Sequence, residues 1–338
     1  MNIPLLQVRN LTVKLRVEGK AYPVVRDMNL ELKRGQTVAL VGESGCGKSM
    51  TALALMRILP QPPALPPEGE IFYHGHNLLT LKESQMRSIR GKRIAMIFQD
   101  PISALNPVYT IGAQLLEVAE AHLNLESSAA IDVVMRSMED ARLPNARNVM
   151  GLYPHQLSGG MLQRAMIAMA LICSPEILIA DEPTTALDVT IQAQILHLLQ
   201  ELQDKKGMAI LLISHDIGVV AQCASEVIVM YGGSQIEKGT VESLLNNPAH
   251  PYTQALLAAR PDPNRRKHRL EAIPGVVPRI NEMPLGCPFH PRCKYAMGLC
   301  KKEPISLFPL KEKEHQARCM LYDKDLSSKL TLANEEIT

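Results

Sequence analysis

The fold of this chain is decided by the stretch Thr37-Val-Ala-Leu-Val-Gly-Glu-Ser-Gly-Cys-Gly-Lys-Ser-Met50. The stretch begins with an apolar run that predicts a buried strand, passes through the pattern G-x-x-x-x-G-K-S, and continues into an apolar segment that predicts a helix. Glycines in such a loop let successive backbone N–H groups point at an anion, and the N-terminal end of the helix adds positive partial charge. The sequence therefore predicts a loop that binds the phosphates of a nucleoside triphosphate.

Individual residues of this loop have different expected roles. Lys48 is expected to reach the β- and γ-phosphates, and the Ser49 hydroxyl is expected to ligate Mg²⁺. Tyr22 precedes the loop and could stack on adenine, although a surface tyrosine at a strand end is the alternative interpretation. The residues expected to contact the nucleotide in or near this loop are Tyr22, Gly42, Ser44, Gly45, Cys46, Gly47, Lys48, Ser49 and Met50.

The composition limits the class of protein. With 338 residues, of which 46% are hydrophobic, the chain can form one large or two modest domains with a full core. A net charge of +2 is too small to indicate a nucleic-acid partner. The N-terminus lacks a signal pattern, and no apolar run approaches the roughly 20 residues that cross a bilayer. We expect a cytoplasmic chain whose membrane role, if any, comes through partners.

Hydrophobic periodicity predicts an α/β arrangement around the loop. Residues 5–13 and 28–33 alternate apolar and polar positions, which predicts antiparallel strands. Apolar spacing of three and four predicts helices at 111–121, 129–141 and 163–173. Buried strands are predicted at 94–99, 177–180, 209–213 and 226–230, with helices at 191–205 and 218–223. From residue 175 onward the strands and helices alternate, which predicts a mostly parallel sheet.

Further polar residues follow these strands. Asp181 and Glu182 end an apolar strand, and we expect Asp181 to hold Mg²⁺ and Glu182 to act as general base on the attacking water. Gln99 is the last residue of the predicted strand 94–99 and could reach Mg²⁺ or the water. His215 is expected to end the next strand and could touch the γ-phosphate, although a lone histidine is more often structural. The segment Leu157-Ser-Gly-Gly-Met-Leu-Gln163 opens a helix and predicts a second anion site of backbone N–H groups.

Taken together and in this order, these motifs resemble the ATP-binding subunits of ABC transporters over roughly residues 5–255. The resemblance implies a P-loop NTPase (RecA-like) core with an antiparallel β subdomain and a helical signature subdomain. It also implies a dimer with ATP between the phosphate loop of one subunit and Ser158, Gly159 and Gly160 of the other. Asp188 of the segment Ala186-Leu187-Asp188 would lie at the dimer seam, and Gln99 would sense the membrane subunits.

A narrower resemblance, to the D-type ATPases of dipeptide permeases, comes from segments outside the shared core. These segments are 98–107, 153–158, 181–194, 250–257 and 274–278. The resemblance implies a heterodimer with a second ATPase, two membrane permease subunits and an external substrate-binding protein, at the cytoplasmic face of the plasma membrane. Nickel and other small-solute importers share much of this pattern and remain the main alternative. A soluble ABC ATPase acting on DNA or ribosomes is disfavoured, because only 107 residues separate Ser49 from Leu157 and the chain has one cassette.

The resulting domain prediction has three parts. Residues 1–258 form the nucleotide-binding domain, with the helical subdomain at about 101–174; residues 259–325 form a small Cys-rich C-terminal extension; and 326–338 form a polar tail. The basic stretch at 265–269 is predicted to be a solvated linker at the start of the extension.

Four of the seven cysteines crowd into the C-terminal extension: Cys287, Cys293, Cys300 and Cys319. Their spacing is not the C-x₂-C pairing of common zinc modules, and four thiolates suit either zinc or an iron–sulfur cluster. The resemblance to peptide importers implies a [4Fe–4S] cluster on these four positions, with zinc, or free or disulfide-linked thiols, as alternatives. We expect a structural role for the bound metal, because the segment is too poor in apolar residues to fold alone.

Overall fold

The computed structural model describes residues 4–185, 187–259, 273–312 and 314–326. The basic stretch 265–269, Ala186 and nearly all of the predicted polar tail lie outside the described residues. The strands are β1 Leu6–Val17, β2 Lys20–Leu32, β3 Thr37–Val41, β4 Glu68–Tyr73, β5 His76–Asn77, β6 Ile94–Ile97, β7 Ile177–Asp181, β8 Ala209–Ser214, β9 Glu226–Tyr231, β10 Ser234–Thr240, β11 Phe308–Pro309 and β12 Gln316–Ala317.

The helices alternate with these strands over much of the chain. They are α1 Lys48–Leu55, α2 Glu83–Ile89, α3 Pro101–Ala104, α4 Ile111–Leu123, α5 Ser127–Asp140, α6 Ala146–Val149, α7 Gly159–Leu171, α8 Val189–Lys206, α9 Ile217–Cys223, α10 Val241–Asn246 and α11 Pro251–Ala258. Within the described ranges, none of these helices combines the length and apolar character that crossing a bilayer requires. The chain forms two compact units, which are the described parts of 1–6, 31–37 and 72–214 and of 7–30, 38–71 and 215–338.

The first unit contains a parallel sheet and a group of helices. Its strands run in the order β8-β7-β6, all parallel, and every residue of β7 is buried. An apolar run without alternation is typical of a strand covered on both faces, which confirms the predicted parallel sheet. Helix α5 packs against α4 and α7, and α7 also packs against β6. Two predicted boundaries were wrong: α7 begins at Gly159 because Ser158 caps it, and β6 ends at Ile97, so that Gln99 lies beyond the strand.

The second unit is a mixed sheet that carries the phosphate loop. Strand β3 pairs parallel with β9, β9 pairs antiparallel with β10, and the order continues through β2 and β1 to β4. Strands β1 and β2 are longer than predicted and meet at a turn where Gly19 has a φ of 80°. Tyr22 therefore lies within β2, half-buried, rather than at a strand end. Strand β8 ends at Ser214, so that His215 follows the strand instead of closing it.

The C-terminal extension folds as short 3₁₀ turns and adds strands to this sheet. Strand β12 pairs antiparallel with β10, with Glu237 opposite Ala317, and β11 pairs with β12. The carboxylate of Glu237 is fully buried, and it accepts hydrogen bonds from the backbone N–H groups of Ala249 (2.8 Å) and His250 (2.7 Å). His315 Nε2 lies 2.8 Å from the same carboxylate. Polar contacts therefore hold the extension against the sheet.

Glu176, which precedes β7, has a carboxylate with several partners. Its oxygens accept a hydrogen bond from the Tyr73 hydroxyl at 3.0 Å and lie 2.9 Å from His74 Nε2. Arg34 and Arg93 each form an ion pair with it at 3.3 Å. Burial acts to raise the pKa of Glu176, but the hydrogen bonds with His74 and Tyr73 and the nearby charges lower it overall.

We expect Glu176→Gln to lower the free energy of unfolding by about 1 kcal/mol at pH 7, because the glutamine loses the charged interactions with Arg34 and Arg93. The loss is modest because both arginine side chains are exposed and solvent screens these pairs. A lowered folded-state pKa means that the carboxylate stabilises the fold above the ordinary glutamate pKa and loses this effect as the pH falls through the folded-state value. Denaturant unfolding at pH 7 and in acid should therefore show a difference that shrinks in acid. Glu201→Gln, in an exposed pair with Arg142, is the control. A difference that grew in acid would contradict this account.

Candidate nucleotide-binding site

The phosphate loop connects β3 to α1 and has glycines where the backbone requires them. Gly45 and Gly47 have φ values of 80° and 103°, which favour glycine. A Cβ on Gly47 would also lie 2.5 Å from the carbonyl oxygen of Val24. Thr51 donates its hydroxyl hydrogen bond to the Gly47 carbonyl at 3.0 Å, which fixes the start of α1. The loop therefore has a single packed conformation with its helix N-terminus behind it.

The side chains of the loop lie where a phosphate binder needs them. Lys48 is 4% exposed, and its Nζ donates to the carbonyl oxygens of Gly42 (2.8 Å) and Glu43 (3.2 Å). The ammonium group is thus folded over the loop. Ser44 is exposed at the tip, and Ser49 and Met50 are half-buried at the start of the helix. Cys46 is fully buried, so its side chain packs inside the protein while its backbone continues the loop.

Glu43, the second residue of the loop, is held by residues far along the chain. Its backbone N–H donates to the Tyr252 hydroxyl at 2.9 Å. Its carboxylate accepts two hydrogen bonds from Arg292, 249 residues away, at 2.7 and 3.1 Å. Burial acts to lower the pKa of Arg292, but its hydrogen bonds with Glu43 and Tyr231 raise it overall, so the guanidinium is charged.

In the first unit, the end of β7 presents the predicted carboxylates. Asp181 and Glu182 are 4% and 8% exposed. Glu182 has a φ of 46°, an uncommon value for a residue other than glycine, and its N–H donates to the carbonyl of Ile213 at 3.0 Å. Gln99 Nε2 and the Thr185 hydroxyl both donate to Glu182 Oε2, at 3.1 and 2.9 Å. These two bonds fix one carboxylate oxygen, an arrangement that suits a group that must orient a water molecule.

The segment Ser158–Gly160 begins α7 beside the start of α8. Ser158 caps α7 by accepting a hydrogen bond from the Met161 N–H, and Asp188 caps α8 by accepting one from the Ile191 N–H. A Cβ on Gly160 would lie 3.0 Å from Ile191 Cγ2, so the two helix starts pack closely. Ser158 and Asp188 are both exposed.

His215 and Tyr22 both lie in the second unit. His215 is exposed directly after the final residue of β8, and the next residue, Asp216, caps α9 by accepting a hydrogen bond from the Gly218 N–H at 2.7 Å. Tyr22 is half-buried in β2.

The four C-terminal cysteines come together in the second unit. All four carry free thiols and line one cavity of about 20 Å³. Burial raises the pKa of Cys287 to about 12 and that of Cys319 to about 11. In the part of the chain that the structure describes, no group of three or more His, Cys, Asp or Glu side chains has the arrangement that holds a metal ion. The proposed metal centre therefore stays a prediction supported by convergence of the thiols alone.

Comparison with known proteins identifies the family. A family model described as "ABC transporter" matches residues 25–185, and one described as "Oligopeptide/dipeptide transporter, C-terminal region" matches residues 236–300. The chain is 47% identical over 316 residues to the probable peptide ABC transporter ATP-binding protein y4tR of Sinorhizobium fredii, with 93% of this chain and 94% of the relative covered. It belongs to the ABC transporter ATP-binding subunits.

Other similar proteins agree with this membership of the ABC transporter family. The oligopeptide transport ATP-binding protein OppD of Haemophilus influenzae is 45% identical over 301 residues, covering 89% of this chain and 93% of the relative. A dimeric structure of the bacterial ABC transporter cassette MJ0796 has a TM-score of 0.63 at 26% identity, covering 70% of this chain and 98% of that one. The same cassette is also known in a post-hydrolysis dimer bound to ADP and phosphate, with a TM-score of 0.63 at 25% identity. The chain is an ABC-type ATPase with a P-loop NTPase core.

Three residues that contact the motifs of this ABC ATPase were not found from the sequence. Thr185 lies in the segment 181–194, and the three-residue spacing between Glu182 and Thr185 could have indicated the hydrogen bond between their side chains. Tyr252 lies in the segment 250–257, but nothing in that segment indicated a contact with the loop, and Arg292 gave no signal, because both residues contact the loop only through the tertiary fold. A basic residue between two clustered cysteines is more often an exposed charge than a partner of a phosphate loop.

Proposed function

We propose that this ABC ATPase powers the import of di- and oligopeptides through a membrane transporter complex. The observation that carries the proposal is that one chain joins a complete set of ATPase motifs to a C-terminal part, residues 236–300, that matches the oligopeptide/dipeptide transporter region. Relatives named for peptide import match the chain over nearly its whole length, including that C-terminal part. The cassette hydrolyses ATP, and the C-terminal match supports the import of peptides rather than of another class of solute.

The phosphate loop would bind ATP through its backbone and Lys48. The N–H groups of residues 44–49 would cradle the phosphates at the start of α1, and Lys48 Nζ would turn from the Gly42 carbonyl to the β- and γ-phosphates. The half-buried ring of Tyr22 would cover the adenine. Mg²⁺, when bound with ATP, would neutralise phosphate charge and would be held by Ser49, Gln99 and Asp181.

Glu182 would act as the general base. Its Oε2 accepts hydrogen bonds from Gln99 and Thr185, and these bonds would orient the carboxylate that accepts a proton from the attacking water. Glu182 is buried, and together with its two hydrogen bonds this would keep the carboxylate in one orientation. His215 would contact the γ-phosphate and help to orient it toward the attacking water.

Exposed residues of the first unit support the proposed partners. Ser158, Gly159, Gly160 and Asp188 lie at exposed or half-exposed helix starts, where they would meet the ATP of a second, homologous ATPase in a heterodimer. Apolar side chains that follow Gln99 are exposed: Ile102 at 69%, Val108 at 72% and Tyr109 at 57%. Such a patch suits docking to two permease subunits. The chain would thus work peripherally at the cytoplasmic membrane face, with a substrate-binding protein on the opposite side.

The four cysteines of the extension would hold a [4Fe–4S] cluster, with zinc as the alternative. Four free thiols on one mostly apolar cavity are the donor set that both centres require. Cys287 Sγ lies 3.9 Å from His250 Nε2, and the other ring nitrogen accepts a hydrogen bond from the Tyr252 N–H. This places the imidazole proton on Nε2, where it can support a thiolate. The cavity of about 20 Å³ must widen to admit a cluster. The centre would be structural.

We expect Lys48→Ala to weaken ATP binding at least about tenfold, because a charge-assisted contact to the phosphates is lost. Glu182→Gln should keep ATP binding but lower turnover by about 100-fold or more, since the amide cannot accept the proton. Equilibrium binding and single-turnover hydrolysis separate the two effects. Glu201→Gln, on exposed surface, should match the parent. Parental turnover in Glu182→Gln would rule out the assigned base.

Replacing Cys287, Cys293, Cys300 or Cys319 by serine should remove the metal centre. Anaerobically purified protein should contain about four iron and four sulfide per chain, and each variant should lose both together with the visible absorbance of the cluster. Cys173→Ser, outside the extension, is the matched control. Zinc in the parental chain would replace the cluster assignment, and unchanged metal in any one variant would exclude that residue as a ligand.

The cargo is tested with the assembled complex. Co-purification with the permease subunits and the second ATPase, followed by ATPase assays with binding protein, should give turnover that rises with peptides. Stimulation by nickel ions instead would keep the transporter and replace its cargo. No stimulation by any solute, with the complex intact, would contradict an import function.

A further inference from the structure

The guanidinium of Arg292 forms a two-pronged contact with the phosphate loop. Arg292 Nη1 donates to Glu43 Oε2 at 2.7 Å, and Nη2 donates to Oε1 at 3.1 Å. The Arg292 side chain is only 6% exposed, whereas that of Glu43 is 27% exposed. Parallel hydrogen bonds between a guanidinium and a carboxylate are among the strongest and most directional in proteins. The contact therefore fixes both the position and the charge of Glu43.

Arg292 is itself held in place from several sides. Its Nε donates to the Pro274 carbonyl at 2.8 Å, Nη2 also donates to the Ile273 carbonyl at 3.3 Å, and Nη1 donates to the Tyr231 hydroxyl at 3.2 Å. The guanidinium carbon also lies 5.7 Å from the centroid of the Tyr231 ring. A side chain with so many partners cannot swing away without losing all of them, so it offers a preorganised cation to the loop.

The backbone at Glu43 is held by the same region. Its N–H donates to the hydroxyl of Tyr252, a fully buried ring that packs against Tyr231 and Phe289 at centroid distances of 4.8 and 5.3 Å. Phe289 belongs to the extension, two residues after Cys287. The extension thus contacts the start of the phosphate loop both through a charged side chain and through an aromatic cluster.

The position of Glu43 matters for two reasons. Its carbonyl and that of Gly42 accept the hydrogen bonds of Lys48 Nζ, so the conformation of these two residues sets where the ammonium lies. Its carboxylate is a negative charge within the loop that must receive a triphosphate. At protein-surface dielectric values, one unpaired charge at several ångströms costs on the order of 1–2 kcal/mol. A fixed cation on this carboxylate removes that repulsion.

We propose that Arg292 is a positioning residue for ATP binding: by pairing with Glu43 it neutralises the acidic residue of the phosphate loop. The C-terminal extension thereby acts on nucleotide affinity, although it contributes no phosphate ligand. The inference rests on the nucleotide site proposed above. A purely structural role, in which Arg292 only docks the extension, would make the fold depend on this residue but leave affinity unchanged once the chain has folded.

The test is the affinity of the full-length chain for a non-hydrolysable ATP analogue. Arg292→Met should weaken binding about tenfold, because the carboxylate of Glu43 is left unpaired beside the phosphates. Arg292→Lys should weaken it less, since the charge remains while the two-pronged geometry is lost. Glu43→Gln should not weaken binding, because it removes the negative charge that Arg292 would neutralise, and Glu43→Gln combined with Arg292→Met should recover most of the affinity that Arg292→Met loses. Arg279→Met, an exposed arginine of the same segment, is the matched control.

The rescue separates the proposal from its rivals. An effect through the docking of the extension or through a disturbed metal centre would persist in the double variant, because removing the carboxylate repairs neither. Persistent weakness in the double variant, or parental affinity in folded Arg292→Met, would therefore overturn the inference. If Arg292→Met does not fold, as judged by thermal unfolding, Arg292→Lys alone and with Glu43→Gln gives the same comparison. The affinity of Lys48→Ala is measured alongside. Parental affinity in Lys48→Ala would overturn both the proposed nucleotide site and this inference. Reduced affinity in Lys48→Ala together with parental affinity in the Arg292 variants would overturn this inference alone.

Discussion

The close approach of backbone to the phosphate loop is the constraint on which the nucleotide site depends. A Cβ on Gly47 would meet the carbonyl of Val24, and a Cβ on Gly42 would lie 2.3 Å from the carbonyl of Met230. The loop is therefore confined between β2 and β9, and the N–H of Gly233 ties the turn after β9 to the Cys46 carbonyl at 3.1 Å. Because the space admits no side chain, the loop's amides cannot turn away, and they are oriented for an anion before one arrives.

The carboxylates at the end of β7 in the first unit are also held in place, but by hydrogen bonds rather than by close backbone packing. Glu182 adopts a left-handed backbone conformation, which costs on the order of 1 kcal/mol for a residue with a side chain. Its N–H bond to Ile213 and its carboxylate bonds from Gln99 and Thr185 offset that cost. The consequence is a carboxylate with one orientation at a buried strand end. Preorganisation at both places means that little has to be reordered when a phosphate and a water arrive.

Local patterns in the sequence could predict most of the core and the motif residues, but not the contacts between distant segments. The phosphate loop, the parallel strands β7 and β8 and the start of α8 were identified because each depends on a short apolar run and its flanking residues. Strand β10 was missed because Ser234–Thr240 reads as polar: the fully buried Glu237 is satisfied there by His315 and by the backbone N–H groups of Ala249 and His250, which lie elsewhere in the chain. Periodicity registers whether a residue is apolar, whereas it carries no information about which partner a buried polar group will find.

The same distinction explains why the extension is suited to act on the loop. An apolar contact between the extension and the sheet would allow small sliding, because dispersion forces have little direction. Here the docking is polar: Glu237 is satisfied by His315 and two backbone amides, and Arg318 donates to the carbonyls of Gln235 and Ile305 at 2.9 and 2.8 Å. Buried polar groups tolerate only the geometry that satisfies all of them. A segment held in this way keeps Arg292 at a fixed distance from the loop, and fixed distance is what a charge needs if it is to set the affinity of a neighbouring site.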